Sequence, residues 1–307
     1  MSVLGIVVPV FALIGMGALA VRLRLVEMAA VRGMTDFVFY TAMPALLFAS
    51  VIQAPPLRLL DVAGSFLGGA LVLFGGALLL ARMLFGARLA NASVFALDCV
   101  FGNTVMLGIP IVDAAYGRDG VAYLLAVIAF HSAVLLPVAT VFIEAGSASG
   151  RSPLGVLGAA LPGVLRNPVV VSILLAFVWR LSGLGMPVAV MRFLGLIGAA
   201  GPPLALFCLG AALPRPTGWS DLREVSLAAL LKLVALPALV ALFAHLVGVH
   251  GVAFSVVVLA AALPTGANAF LLARRFATMM EESASTVVVT TALSMVTLSV
   301  LLGWLPR

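Results

Sequence analysis

The 307 residues are 64% hydrophobic and only 9% charged, with 17 Lys and Arg against 11 Asp and Glu. A soluble domain is about half apolar and a quarter charged, so a water-soluble globule is excluded and lipid is the solvent for most of the chain. The net charge of +6 lacks a basic run with interleaved aromatics, and Cys99 and Cys208 sit in apolar stretches, so nucleic-acid binding, a disulfide framework and a cysteine metal site are all unsupported.

The mean hydropathy of +1.27 is distributed over ten apolar spans. They run over about 3–21, 33–53, 62–81, 92–116, 121–143, 166–181, 188–212, 226–247, 252–273 and 283–303. Each approaches the length that crosses roughly 30 Å of hydrocarbon at 1.5 Å per residue. The first carries its arginines, Arg22 and Arg24, after the apolar run, and is expected to be a retained helix rather than a signal peptide. The longest polar stretch, Glu144 to about Leu165, separates spans five and six and reads as a linker. With the N-terminus outside, the cytoplasmic connections hold eleven arginines and the other side five. The positive-inside rule then places both termini outside the inner membrane.

The two halves, 1–150 and 151–307, resemble each other. Val8-Pro9 matches Asn167-Pro168, and Pro44–Phe48 matches Pro203–Phe207, both at a shift of 159. An odd number of spans per half turns the second copy upside down. The expected fold is therefore all-α, with two inverted five-helix repeats, an architecture of many secondary transporters.

Spans four and nine carry helix breakers at corresponding places. Span four contains Gly102-Asn103-Thr104, Gly108 and Pro110; span nine contains Pro264-Thr265-Gly266 and Asn268. Proline removes a backbone donor and glycine eases unwinding. Unwound backbone inside a bilayer is costly unless it lines a polar cavity or binds something. Asn103, Thr104, Thr265 and Asn268 supply neutral donors and acceptors, and half-helix N-termini supply partial positive charge. That combination suits a carboxylate.

Three ionisable residues inside spans are proton-coupling candidates. Asp98 lies one turn before the first break; it either takes a proton or sits near the cytoplasmic mouth, solvated or paired. Lys232 in span eight either neutralises the substrate, pairs with Asp98, or snorkels to the interface, which its place near the start of the span favours. His131 in span five either relays protons or makes a helix–helix hydrogen bond, the commoner use. Asn167 reads as a helix N-cap, and Glu281 and Glu282 as first-turn residues of span ten. Enzyme and nucleotide-binding motifs are absent, and no cofactor or metal is expected.

The runs GNTVMLGIPIVDAAYG and AALPTGANAFLLARRF resemble the paired crossover motifs of the auxin efflux carrier family, which includes plant carriers and bacterial permeases of malonate type. The runs MPALLFAS and KLVALP add to the likeness. The resemblance implies ten helices in two inverted repeats, with helices four and nine broken where they cross. It implies an elevator, in which helices 3–5 and 8–10 move a carboxylate against a scaffold of helices 1, 2, 6 and 7. It gives Asn103 the substrate carboxylate and makes a homodimer the expected assembly. The second crossover of the family often has proline where this chain has Asn268. The long central loop of many plant members is missing, which favours a bacterial-type carrier of a small carboxylate. Two other classes remain: a sodium-coupled organic-anion symporter resembling the bile-acid carriers, and a membrane receptor that keeps the fold without transporting.

Overall fold

The computed structural model describes residues 3–53, 59–146, 168–213 and 222–306. Among them every regular element is helical. In chain order these are α1 Val3–Arg22, α2 Met28–Phe37, a π-turn at Val38–Ala42, α3 Met43–Gln53, α4 Leu59–Leu84 and α5 Leu89–Val100. A second π-turn, Thr104–Gly108, leads into α6 Ile109–Gly146; α7 Pro168–Leu181 and α8 Val188–Ala212 follow. Then come α9 Leu222–Leu230, a third π-turn Leu231–Ala235, α10 Leu236–Leu246, α11 Gly251–Ala262, α12 Ala267–Arg275 and α13 Met280–Trp304.

Among the described residues, six stretches are long and apolar enough to cross a bilayer: Gly5–Arg22, Leu60–Leu84, Thr104–Gly146, Val188–Ala212, Leu222–Leu246 and Met280–Trp304. Large apolar side chains such as Leu71, Leu79, Met83, Leu196 and Val296 stay exposed on them. That is how a multi-pass membrane protein meets lipid. The expected spans four, six and nine contain shorter helices. α5 and α11 have 12 residues each and α7 has 14, about 18–21 Å at the helical rise. The long run α6 is two helices that meet at a kink, between the expected spans four and five. Gly117, with φ 64° and ψ −160°, is not helical and breaks the run there. Asn167, the stretch 147–167, and Arg58, Arg151, Arg166, Arg215 and Arg307 lie outside the described residues.

The chain divides into two compact units. The first comprises Met1–Leu57, Val105–Leu125 and Gly163–Leu213. There α1 packs along α8, and α3 packs against α7 and α8. The α1–α8 contact is backbone to backbone: a Cβ added at Gly17 would overlap the Phe207 carbonyl, and one at Gly210 the Ile14 carbonyl. Small residues permit this approach, which replaces the hydrophobic driving force that lipid removes. Arg180 closes one end of the unit, donating from Nη1 to the Val51 carbonyl at 3.2 Å.

The second unit comprises Arg58–Thr104, Ala126–Pro162 and Pro214–Arg307. At its centre are α5 and α11, whose residues from Ala92 to Val100 and from Ser255 to Ala262 are all buried. A helix apolar on every side belongs in the middle of a bundle. Here α4 packs against α5 and α10, α10 against α11, and α13 against α9 and α12. A small apolar cluster of Ala90, Val94, Ile143 and Ala273 anchors the far end of α5.

Candidate functional site

Both central helices stop inside the second unit. α5 gives way to extended backbone at Phe101 (φ −83°, ψ 108°), and α11 does so at Leu263 (φ −60°, ψ 146°). The two extended segments then pair as an antiparallel bridge between Gly102 and Thr265. The Asn103 N–H donates to the Pro264 carbonyl at 2.8 Å, and the Gly266 N–H donates to the Phe101 carbonyl at 2.9 Å. Proline is harmless here, because the bridge uses only the Pro264 carbonyl and never its missing N–H. The two helices end at Val100 and Ala262, 162 residues apart. The shift of 159 expected from the proline matches pairs Val100 with Leu259, three residues before the end of α11.

Three more backbone donors of the interruption have partners. The Gly102 N–H donates to His131 Nε2 at 3.0 Å, and the Thr265 N–H to Thr290 Oγ1 at 3.1 Å. The Thr104 N–H reaches the Gly102 carbonyl at 2.9 Å. Unwound backbone was expected to leave its amides open for a ligand. These amides satisfy one another and two buried side chains instead, which is how irregular backbone survives at membrane depth.

Each candidate residue has a definite place. Asn103 (8% exposed) and Thr104 are buried at the interruption, Thr104 opening the π-turn that leads to Gly108, with Pro110 in the first turn of α6. Thr265 is buried and committed: its Oγ1 donates at 2.8 Å to the Asp98 carbonyl, one of the carbonyls that the end of α5 leaves without a helical partner. Asn268 stands exposed in the first turn of α12, three residues after Thr265.

Asp98 is buried in the last turn of α5, and its Oδ1 accepts a hydrogen bond from Ser283 Oγ at 2.7 Å. It is neither solvated nor in an ion pair at the cytoplasmic mouth. Lys232 does not snorkel. Its side chain is fully buried, and Nζ donates to the Ala261 carbonyl at 2.6 Å, in the last turn of α11. The helical run holding it starts at Leu222, four residues before the expected edge, which sets Lys232 about 15 Å along the axis. His131 is fully buried too. Its ring lies 4.0 Å from that of Phe101 and 5.5 Å from that of Phe66. Because Nε2 accepts from Gly102, the hydrogen of the ring is on Nδ1.

Three residues of this network escaped the sequence reading: Ser283, Thr286 and Thr290, all on the buried side of α13. Thr290 Oγ1 donates to the Thr286 carbonyl at 2.6 Å while accepting from Thr265. A run of Ser and Thr in the last span was the available signal. Hydroxyls that can bond their own helix carry no mark of a distant partner.

Gly266 is the position at which the crossing demands glycine. A Cβ there would lie 3.0 Å from the Gly102 carbonyl oxygen and 3.1 Å from the Phe101 ring. At Gly102 the nearest atoms would be 3.5 Å away or more. Gly266→Ala is therefore expected to destabilise the protein by about 1–3 kcal/mol, and Gly102→Ala by less than about 1. Thermal unfolding of the two variants in detergent checks the ordering; equal midpoints would contradict it.

The family described as "Membrane transport protein" matches residues 2–302. A protein of Rhizobium meliloti (strain 1021) named "Putative malonate transporter" is 27% identical over 98% of this chain and 95% of its own length. "Auxin efflux carrier component 1" of Arabidopsis thaliana is 30% identical over 120 residues, 37% of this chain and 19% of the carrier. "Probable auxin efflux carrier component 1b" of rice is 31% identical over the same share of this chain. With a family match that spans nearly every residue, the chain belongs to the membrane transport proteins of the auxin efflux carrier family.

Proposed function

We propose that this protein is an elevator-type secondary transporter that carries a small mono- or dicarboxylate across the inner membrane, coupled to protons or to the membrane potential. Ten spans in two inverted repeats, 1–150 and 151–307, with both termini outside and a homodimeric assembly, complete the reading. Its main support is the bridge between Gly102 and Thr265, where two helices of a transporter-family chain stop and exchange backbone hydrogen bonds inside one compact unit. The name of the Rhizobium protein supports malonate as the first substrate to try.

The division into compact units supports the elevator. The first unit gathers spans one, two, six and seven, the expected scaffold, and the second gathers span three, the first half of span four, span five from Ala126 onward, and spans eight to ten. The second half of span four and the Gly117 turn group with the first unit rather than with spans three to five. In this reading the Asn103 side-chain amide grips the carboxylate, with Thr104 beside it. The first N–H groups of α12, which have no partner within their own helix, add positive potential from Ala267 and Asn268. Thr265, whose hydroxyl already serves Asp98, holds the crossing. Asp98, bonded to the neutral hydroxyl of Ser283 and not to a cation, is the proton carrier.

Uptake of radiolabelled malonate into proteoliposomes tests this. Saturable uptake that is blocked by unlabelled dicarboxylates and raised by an inward proton gradient is the expected result. A folded protein that is stabilised by carboxylates without moving them is a receptor, and that outcome ends the transport reading. Dependence on sodium in place of protons selects the bile-acid-carrier-like alternative.

A further inference from the structure

Lys232 is a buried lysine whose amino group donates to a helix-end carbonyl, and carboxylate transport as proposed gives it no task. α5 and α11 both run toward the crossing and end there, at Val100 and Ala262. Each helix C-terminus carries about half a negative charge and up to four carbonyls that its own helix leaves unpaired. Two such ends meet here, with the Asp98 carboxyl in the last turn of one of them. In secondary transporters, carbonyl ends of broken helices are the groups that hold a sodium ion. Lys232 Nζ lies 2.6 Å from the Ala261 oxygen at the end of α11 and 3.6 Å from where a Cβ would stand on Gly102, just past the end of α5. Cys99 and His131 are its other titratable neighbours.

We propose that the Lys232 ammonium is a tethered cation that replaces a free monovalent metal ion at the joined carbonyl ends of α5 and α11, so that the carrier works without sodium. Burying an ammonium costs several kcal/mol unless its surroundings compensate. Two helix C-termini do so. The π-turn at Leu231–Ala235 holds the lysine within a continuous helical run, in the middle of the span and not at its end. Lysine suits the task as a compact point charge on a flexible stem. The charge also stands next to Gly102 and so raises the potential beside Asn103, where an anion would dock. The effect on uptake rests on the carboxylate-transport reading; the effect on stability does not.

The test uses the whole protein and its Lys232→Ala and Lys232→Gln variants, purified in choline chloride. Choline is then replaced by sodium, lithium or ammonium at constant ionic strength. The wild-type unfolding midpoint is expected to stay constant, and that of Lys232→Ala to rise saturably by about 5 °C with a small cation. Malonate uptake by the wild type should agree within about twofold in choline and sodium, while Lys232→Ala falls at least about tenfold in choline and recovers with the cation. A variant folded only when a small cation is present supports the proposal. Three results overturn it: a wild type that needs sodium, a Lys232→Ala protein indifferent to every small cation, or variants that no cation restores. If the carboxylate reading itself is wrong, the wild type shows no saturable uptake while the cation response of Lys232→Ala persists.

Discussion

Replacing Asn103 with alanine is expected to lower carboxylate affinity about 10- to 100-fold and to bring uptake near background, while the folded yield stays unchanged. A hydrogen bond to a charged group contributes about 1.5–3 kcal/mol, which sets that range. The main-chain part of the crossing survives the substitution. The N–H bonded to the Pro264 carbonyl is present whatever side chain follows it. Asn103→Asp adds a sharper test. It conserves shape and reverses the sign of the interaction, placing a negative group against an anion in a buried position. It should lose transport at least as completely as alanine does. Binding is measured by thermal shift with malonate and flux by uptake into proteoliposomes. Wild-type flux in either variant removes Asn103 from the substrate site.

The crossing was legible in the sequence because its signals are local. Gly102-Asn103-Thr104 and Pro264-Thr265-Gly266 are clusters of helix breakers in otherwise apolar runs, and the helices do stop there. What holds the crossing was not legible, because its partners are remote along the chain. Gly102 meets His131 29 residues away, and Asp98 meets Ser283 at a separation of 185. Composition also misled on depth. Lys232 stands near the start of a hydropathy-defined span, but polar residues before it still belong to the helix, so the lysine sits deeper than its position in the apolar run suggests. The repeat shift suffered in a similar way. Prolines in the first two spans of each half give 159, whereas the interrupted helices end 162 apart.

Paired amides change what the interruption is for. If the unwound N–H groups were waiting for an anion, removing the partners found here would cost little. The structure gives those groups partners, so removing a partner should destabilise the crossing. His131 is the clearest case. Its ring is fully buried, accepts the Gly102 N–H and packs against Phe101 and Phe66. His131→Ala leaves a buried donor unsatisfied and opens a cavity where the ring stood. The two terms together are expected to destabilise the protein by about 3 kcal/mol or more. His131→Phe separates them, because it keeps most of the packing and removes only the acceptor. It should cost about 1–3 kcal/mol. His131→Gln, whose side-chain oxygen can accept in place of Nε2, should recover part of that loss. Unfolding midpoints of the three variants in one detergent give the order, with alanine lowest and glutamine highest. A phenylalanine variant as stable as the wild type would mean that the Gly102 amide does not depend on the imidazole, and that the crossing holds by its paired backbone alone.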